Sequence, residues 1–119
     1  MSSTESPAAP ASHYFVVWAP DRTEEGVFEK RLAVRSHHLE NMVDLIGKGV
    51  VKVGGVTLTP ESIESAASAM KMTGSMLVFH AESIDQVKAV IESDIYYTSG
   101  VWDPEKLVIS PFMPAVPLP

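Results

Sequence analysis

The feature that most limits the fold of this chain is an alternation of hydrophobic period, with strand-like runs separated by two helix-like stretches. Tyr14-Phe15-Val16-Val17-Trp18-Ala19 is a β-branched and aromatic run stopped by Pro20-Asp21, which reads as a strand closed by a turn. Its continuous apolar character predicts a central strand covered on both faces. A polar loop follows from Asp21 to Gly26. From Leu32 to Gly47 the period lengthens. Val34, His38, Met42 and Leu45 recur at helical intervals, joined by Leu39 and Ile46. Gly47 and Gly49, around Lys48, supply the stop.

Val50 to Leu58 returns to strand character, interrupted by Gly54-Gly55, a pair that marks a bulge or a close backbone approach. Thr59 before Pro60 reads as a helix start, and the Ala/Ser-rich stretch to Met72 is either a short helix or an insertion. Met76 to His80 is a third strand, entered through Gly74. Ser83 caps a second helix that carries Ile84, Val87, Val90 and Ile91 on one face. Asp94 to Gly100 reads as an irregular aromatic segment, and Lys106 to Ser110 as a fourth strand. The order β-α-β-β-α-β predicts an α+β, ferredoxin-like antiparallel sheet. Its helices cover one sheet face. The other face, rich in Phe, Val and Met, exceeds the apolar patch a monomer usually exposes. Burial logic therefore predicts two sheets pairing face to face, a homodimer forming a dimeric α+β barrel, with higher assembly left open.

The length of 119 residues suits one domain, placed at 13–112, with a Ser/Ala/Pro leader at 1–12 expected to be disordered and a Pro-rich tail at 113–119. The leader lacks the charged and apolar regions of a secretory signal, and no run approaches the roughly 20 apolar residues of a membrane span. Net charge is −6, and the only clustered cations are Lys30-Arg31 with Arg35. That is too little to neutralise a nucleic-acid backbone but enough to hold one small anion. The absence of cysteine excludes disulfides, thiolate nucleophiles and Cys-ligated metals, and fits a cytoplasmic setting.

The residues with chemical capacity are few. Arg35 and His38, three apart, share a helix face. An imidazole shuttles protons, and a guanidinium beside it holds a carboxylate or enolate. The plain alternative has His38 at the core edge and Arg35 solvated. His37, about 100° away around the helix, reads as solvent-facing. Asp94 follows the second helix at its negative end, either as a turn former or as a partner that orients an imidazole. In a ferredoxin-like fold that helix end can approach the first helix. His13 and His80 have no carboxylates at ligand spacing, so no metal is expected. Gly54-Gly55 has no phosphate-loop spacing, so no nucleotide cofactor is expected either. Trp18, Phe79, Tyr96, Tyr97 and Trp102 are candidates to line a pocket for a flat organic substrate, though such aromatics most often serve as core.

These residues together resemble the YCII-related proteins of the dimeric α+β barrel superfamily. The likeness rests on Tyr14-Phe15-Val16-Val17 with Ala19-Pro20-Asp21, on Arg35-Ser36-His37-His38-Leu39, on Gly49-Val50 leading to Gly54-Gly55, on Gly74-Ser75, and on Asp94 with Tyr96 before Gly100-Val101. The resemblance implies a His38–Asp94 active-site pair with Arg35 beside it. It also implies chemistry akin to a dehydrochlorinase of aromatic-ring degradation or to muconolactone isomerases. The expected function is thus a small cofactor-free lyase or isomerase, or a cyclase, moving protons on a cyclic substrate. The rival expectation is a non-catalytic binding or stress-related module. The sequence departs from the family at Ile95, where proline usually follows the aspartate, and in a longer stretch from Thr59 to Thr73.

Overall fold

The structure, a computed structural model, describes residues 11–118, so nearly all of the leader expected at 1–12 lies outside the described residues. The elements are β1 (His13–Pro20), α1 (Val27–Gly47), β2 (Val51–Leu58), a 3-10 turn (Pro60–Ile63), β3 (Met72–Ala81), α2 (Ile84–Ser93), α3 (Ile95–Thr98) and β4 (Val108–Phe112). The sheet order is β2-β3-β1-β4 with every neighbouring pair antiparallel, a ferredoxin-like arrangement.

The strand alternation decides which side chains meet the helices. The register pairs Phe15 with Phe79, Val17 with Leu77 and Ala19 with Ser75, and all six are buried. Met42 and Leu45 of α1 and Val87 and Ile91 of α2 close the same core. Complete burial of side chains such as Val87 and Ile91 contributes about 1.5–3 kcal/mol each. The opposite parity of β1 pairs Trp18 with Met76 and Val108, and Tyr14 with Phe112. There Trp18 is 50% exposed and Val108 53%. The expectation that β1 is central holds, but its cover on both faces does not within one chain.

Helix α1 starts at Val27, five residues before the expected Leu32, because Gly26 turns the chain in at φ 89° and Val27 is buried. The early turn is masked in the sequence by Glu29, Lys30 and Arg31, yet Arg31 occupies the buried stripe with Val27, His38, Met42 and Leu45. The helix ends where the glycines suggested. Gly49 at φ 77° lets its own N–H reach the Ile46 carbonyl and the Val50 N–H reach the Leu45 carbonyl, which satisfies two terminal acceptors.

The Thr59–Thr73 stretch forms the 3-10 turn and a loop before β3 begins at Met72, and it is closed by buried Ser62, whose Oγ accepts the Lys71 N–H at 2.9 Å. Strand β4 is offset from the expected 106–110 because the Lys106 and Leu107 N–H groups are taken by the Asp103 carbonyl in a turn. Pro111 is tolerated in it because β4 is an edge strand. At Gly74 a Cβ would lie 2.6 Å from the Ala19 carbonyl oxygen, so the close approach of β3 to β1 requires glycine.

Candidate active site

The first buried polar pair joins α1 to the junction between α2 and α3. His38, 7% exposed, places Nδ1 at 2.8 and 3.0 Å from the two Asp94 carboxylate oxygens, and Asp94 is 2% exposed. Asp94 is set by its double role: it ends α2 and caps α3, where Oδ1 accepts the Tyr96 N–H at 2.8 Å. Asn41 Nδ2 donates to Oδ2 at 3.4 Å. The start of α3 thus relieves the unfavourable placement expected of a carboxylate at a helix C-terminus. Ile95 occupies the first position of α3, where proline is favoured but not required. With N–H donors already on Asp94, the network assigns the proton of a neutral His38 ring to Nδ1, leaving the Nε2 lone pair free.

The imidazole is held in plane as well as in azimuth. Its ring stacks on Tyr96 at 3.9 Å and 16°, and Trp102 meets it edge-on at 5.8 Å. In front of it lies a cleft of about 140 Å³ between α1 and the β2–β3 half of the sheet. Leu39, Met42, Val43, Ile46, Val56 and Leu77 form apolar walls, and Gly54 and Gly55 leave the β2 wall without side-chain bulk. Arg35 also lines the cleft and forms no ion pair with any described residue. A larger depression of about 810 Å³ lies where the start of β1 meets Phe112–Pro114, and neither buried pair reaches it.

A second buried pair was not expected. Arg31 is fully buried; its Nε donates to Asp21 Oδ2 at 2.7 Å and its Nη2 to Oδ1 at 3.2 Å. The same guanidinium donates to Ser75 Oγ at 3.0 Å and to the Tyr96 hydroxyl at 3.4 Å, and lies 4.5 Å from the Tyr96 ring centre. Trp102 Nε1 donates to Ser75 Oγ at 3.1 Å. Burial pushes the Tyr96 phenol above its ordinary value, against the opposing fields of Arg31 and Arg35. The only sequence signal for Arg31 was its place four residues before Arg35 and seven before His38, a stripe position that a charge normally avoids.

Of the expected site residues, the structure brings together His38, Asp94, Arg35, Tyr96 and Trp102. Three aromatics expected to sandwich a substrate ring lie elsewhere. Trp18 stands on the open sheet face, Phe79 is fully enclosed in the core, and Tyr97 borders a separate depression with Ile84, Lys88 and Leu107. The cause is parity: Trp18 sits on the face of β1 away from the helices, and Tyr97 follows Tyr96 by about 100° in α3. His37 is exposed, and His80 stacks on Tyr14 at 4.7 Å, away from the cleft.

The chain is similar to known proteins. The YCII-related domain matches residues 14–112. Over 98 residues (82% of this chain), the chain is 34% identical to fusaric acid biosynthesis protein 2 of Gibberella fujikuroi, covering 90% of that protein. It is 30% identical to protein YciI of Escherichia coli O6:H1, covering 94% of it. Among solved structures, it is similar to the 5-chloro-2-hydroxyhydroquinone dehydrochlorinase of Burkholderia phenoliruptrix, in complex with 2,5-dihydroxybenzoquinone, with a TM-score of 0.67 and 27% identity over 84% of this chain and 93% of that one.

Proposed function

This chain belongs to the YCII-related domain family, and on that premise we propose that it is a small enzyme moving protons on a cyclic or aromatic small molecule without a cofactor. The observation that carries the reading is a buried imidazole fixed at Nδ1 by Asp94 and unspent at Nε2, beside a cleft with one uncommitted guanidinium. In this reading Nε2 takes a proton from the substrate, and Asp94 stabilises the imidazolium that forms. Arg35 faces the negative charge left behind. A cavity of about 150 Å³ holds benzene, so a cleft of about 140 Å³ suits a single ring. The similar dehydrochlorinase, whose structure holds a one-ring quinone, supports a substrate of that kind. Isomerisation, lyase-type elimination and cyclisation all share this proton step.

The test uses 2,5-dihydroxybenzoquinone as a probe. Titrated into the protein, it is expected to bind and to move the ring signals of His38 in the NMR spectrum, with binding weakened in Arg35→Gln. Absence of binding, or binding that leaves the His38 signals in place, contradicts the reading.

The same proposal includes a homodimer. Trp18, Val108 and Phe112 leave an apolar sheet face open, and a second copy laid across it would bury them. Sedimentation equilibrium is expected to give twice the chain mass for the wild type and a monomer for Trp18→Glu; a monomeric wild type counts against pairing.

A further inference from the structure

Glycine weakens a strand, and a strand keeps it for a bulge, a special backbone angle or the close approach of another group. Gly54 and Gly55 meet neither of the first two conditions. They lie in the regular part of β2, where Val53 to Thr57 pair one for one with Val78 to Gly74, and the register shifts fall on either side of it. Neither has a positive φ. No other described backbone crowds them. A Cβ at Gly54 would meet only Leu77 Cδ2 at 3.4 Å and Val51 Cγ1 at 3.6 Å, ordinary packing distances, and one at Gly55 would meet nothing within 4 Å. Gly74 differs, because a Cβ there would lie 2.6 Å from the Ala19 carbonyl oxygen. Both Gly54 and Gly55 line the His38 cleft. The reason left for the pair is the close approach of a ligand.

The opposite wall of the cleft is α1, and it is polar only at its start. Arg35 and His38 fall within one helical turn. Leu39, Met42, Val43 and Ile46 continue the wall for about 10 Å, and no polar side chain of α1 joins them in the lining. Leu39 is 40% exposed, Val43 69% and Ile46 50%, and Val56 on β2 is 40% exposed. Single apolar residues at a surface need no explanation, but four bordering one cleft make a continuous apolar strip.

We propose that the substrate is amphipathic: its ring sits at His38 and Arg35, and an unbranched apolar substituent of several carbons lies over Gly54 and Gly55 against Leu39, Val43 and Ile46. The proposal rests on the proton-transfer reading above and narrows its substrate class. A ring of benzene size takes up the enclosed volume of about 140 Å³. The substituent therefore runs along the open side, where the exposed aliphatic side chains are. Bare backbone on β2 lets a slender chain lie against the sheet, and side chains at 54 and 55 would stand in its place. Binding gains from the apolar surface that chain and walls withdraw from water. The proton step leaves the substituent unchanged. Its use is orientation, since a chain held along α1 fixes which ring atom meets His38 Nε2.

The test compares 2,5-dihydroxybenzoquinone with its 3-propyl derivative by calorimetric titration of the full chain. Each carbon of the chain is expected to tighten binding about twofold to fourfold, so the propyl compound binds about tenfold to sixtyfold more tightly. Val43→Gln and Ile46→Gln replace exposed aliphatic side chains with a good helix former. In each, the propyl-to-parent ratio is expected to fall about threefold or more, and a ratio taken within one variant cancels any general change in the protein. In crystals of the unaltered protein with the propyl compound, the chain is expected between Ile46 and Gly54-Gly55. A wild-type ratio near one, a ratio that neither substitution lowers, or a chain directed elsewhere overturns the proposal, while movement of the His38 signals by the parent quinone still supports the proton-transfer reading. If neither quinone binds, that reading fails and the amphipathic substrate falls with it.

Discussion

Helix α1 carries two buried basic side chains two turns apart, and each is tied to an aspartate from another element. The two pairs are completed differently. Arg31 has no exposure, and its donors are spent on Asp21, Ser75 and Tyr96. His38 spends Nδ1 on Asp94, makes no hydrogen bond at Nε2 to any described residue, and lines a cleft. A pair saturated on all sides is a structural tie whose desolvation is offset by its own hydrogen bonds. Among the described residues no buried side-chain nitrogen or oxygen lacks a partner, so a pair with one ring nitrogen unspent beside a cleft is arranged for something that arrives from outside. The contrast separates a buried charge that stabilises the fold from one available for chemistry.

The largest expected effect lies on the closed pair. Arg31→Met leaves Asp21 without its cation and is expected to destabilise the protein by about 3–5 kcal/mol in urea unfolding, with part of the loss recovered when Asp21→Leu is added. A loss below about 1 kcal/mol would show that the pair is not structural. Asp94→Asn comes next. Asparagine keeps an acceptor for the Tyr96 N–H but gives up the charged bond to the imidazole, and a cost of about 1–3 kcal/mol is expected. A cost matching that of Arg31→Met would erase the distinction between the pairs. The smallest effect concerns Tyr96, which touches both. Because burial raises its pKa, the folded protein favours the neutral phenol. Stability from this group is complete below the ordinary tyrosine value near 10 and is lost as pH rises through the folded value. Tyr96→Phe is expected to remove that part of the alkaline decline in thermal unfolding, and a curve parallel to wild type throughout would contradict it.

The strand and helix order was readable because the β1 and β3 runs are short, β-branched and aromatic, and the Val34–His38–Met42–Leu45 stripe has a helical period. Arg35, His38 and Asp94 were readable for a different reason: residue chemistry and a family resemblance pointed at them. Arg31 and Asp21 were not, since a charge buried by tertiary contacts has no periodic signature and looks like solvated surface in one dimension. Ser75 read as a strand entry because the meaning of a hydroxyl depends on which donors point at it. Trp18 misled because an aromatic in a strand shows its face only once the parity of the sheet is known. Tyr96 and Tyr97 differ by one position, and the roughly 100° between them around α3 puts one at the site and the other away from it.

The proton transfer proposed for His38 depends on which ring nitrogen is free, and nitrogen-15 NMR of the histidine side chains measures that without any substrate. At a pH where the ring is neutral, the His38 proton is expected on Nδ1 towards Asp94, with Nε2 bare and open to the cleft. A neutral ring carrying its proton on Nε2 would contradict the account.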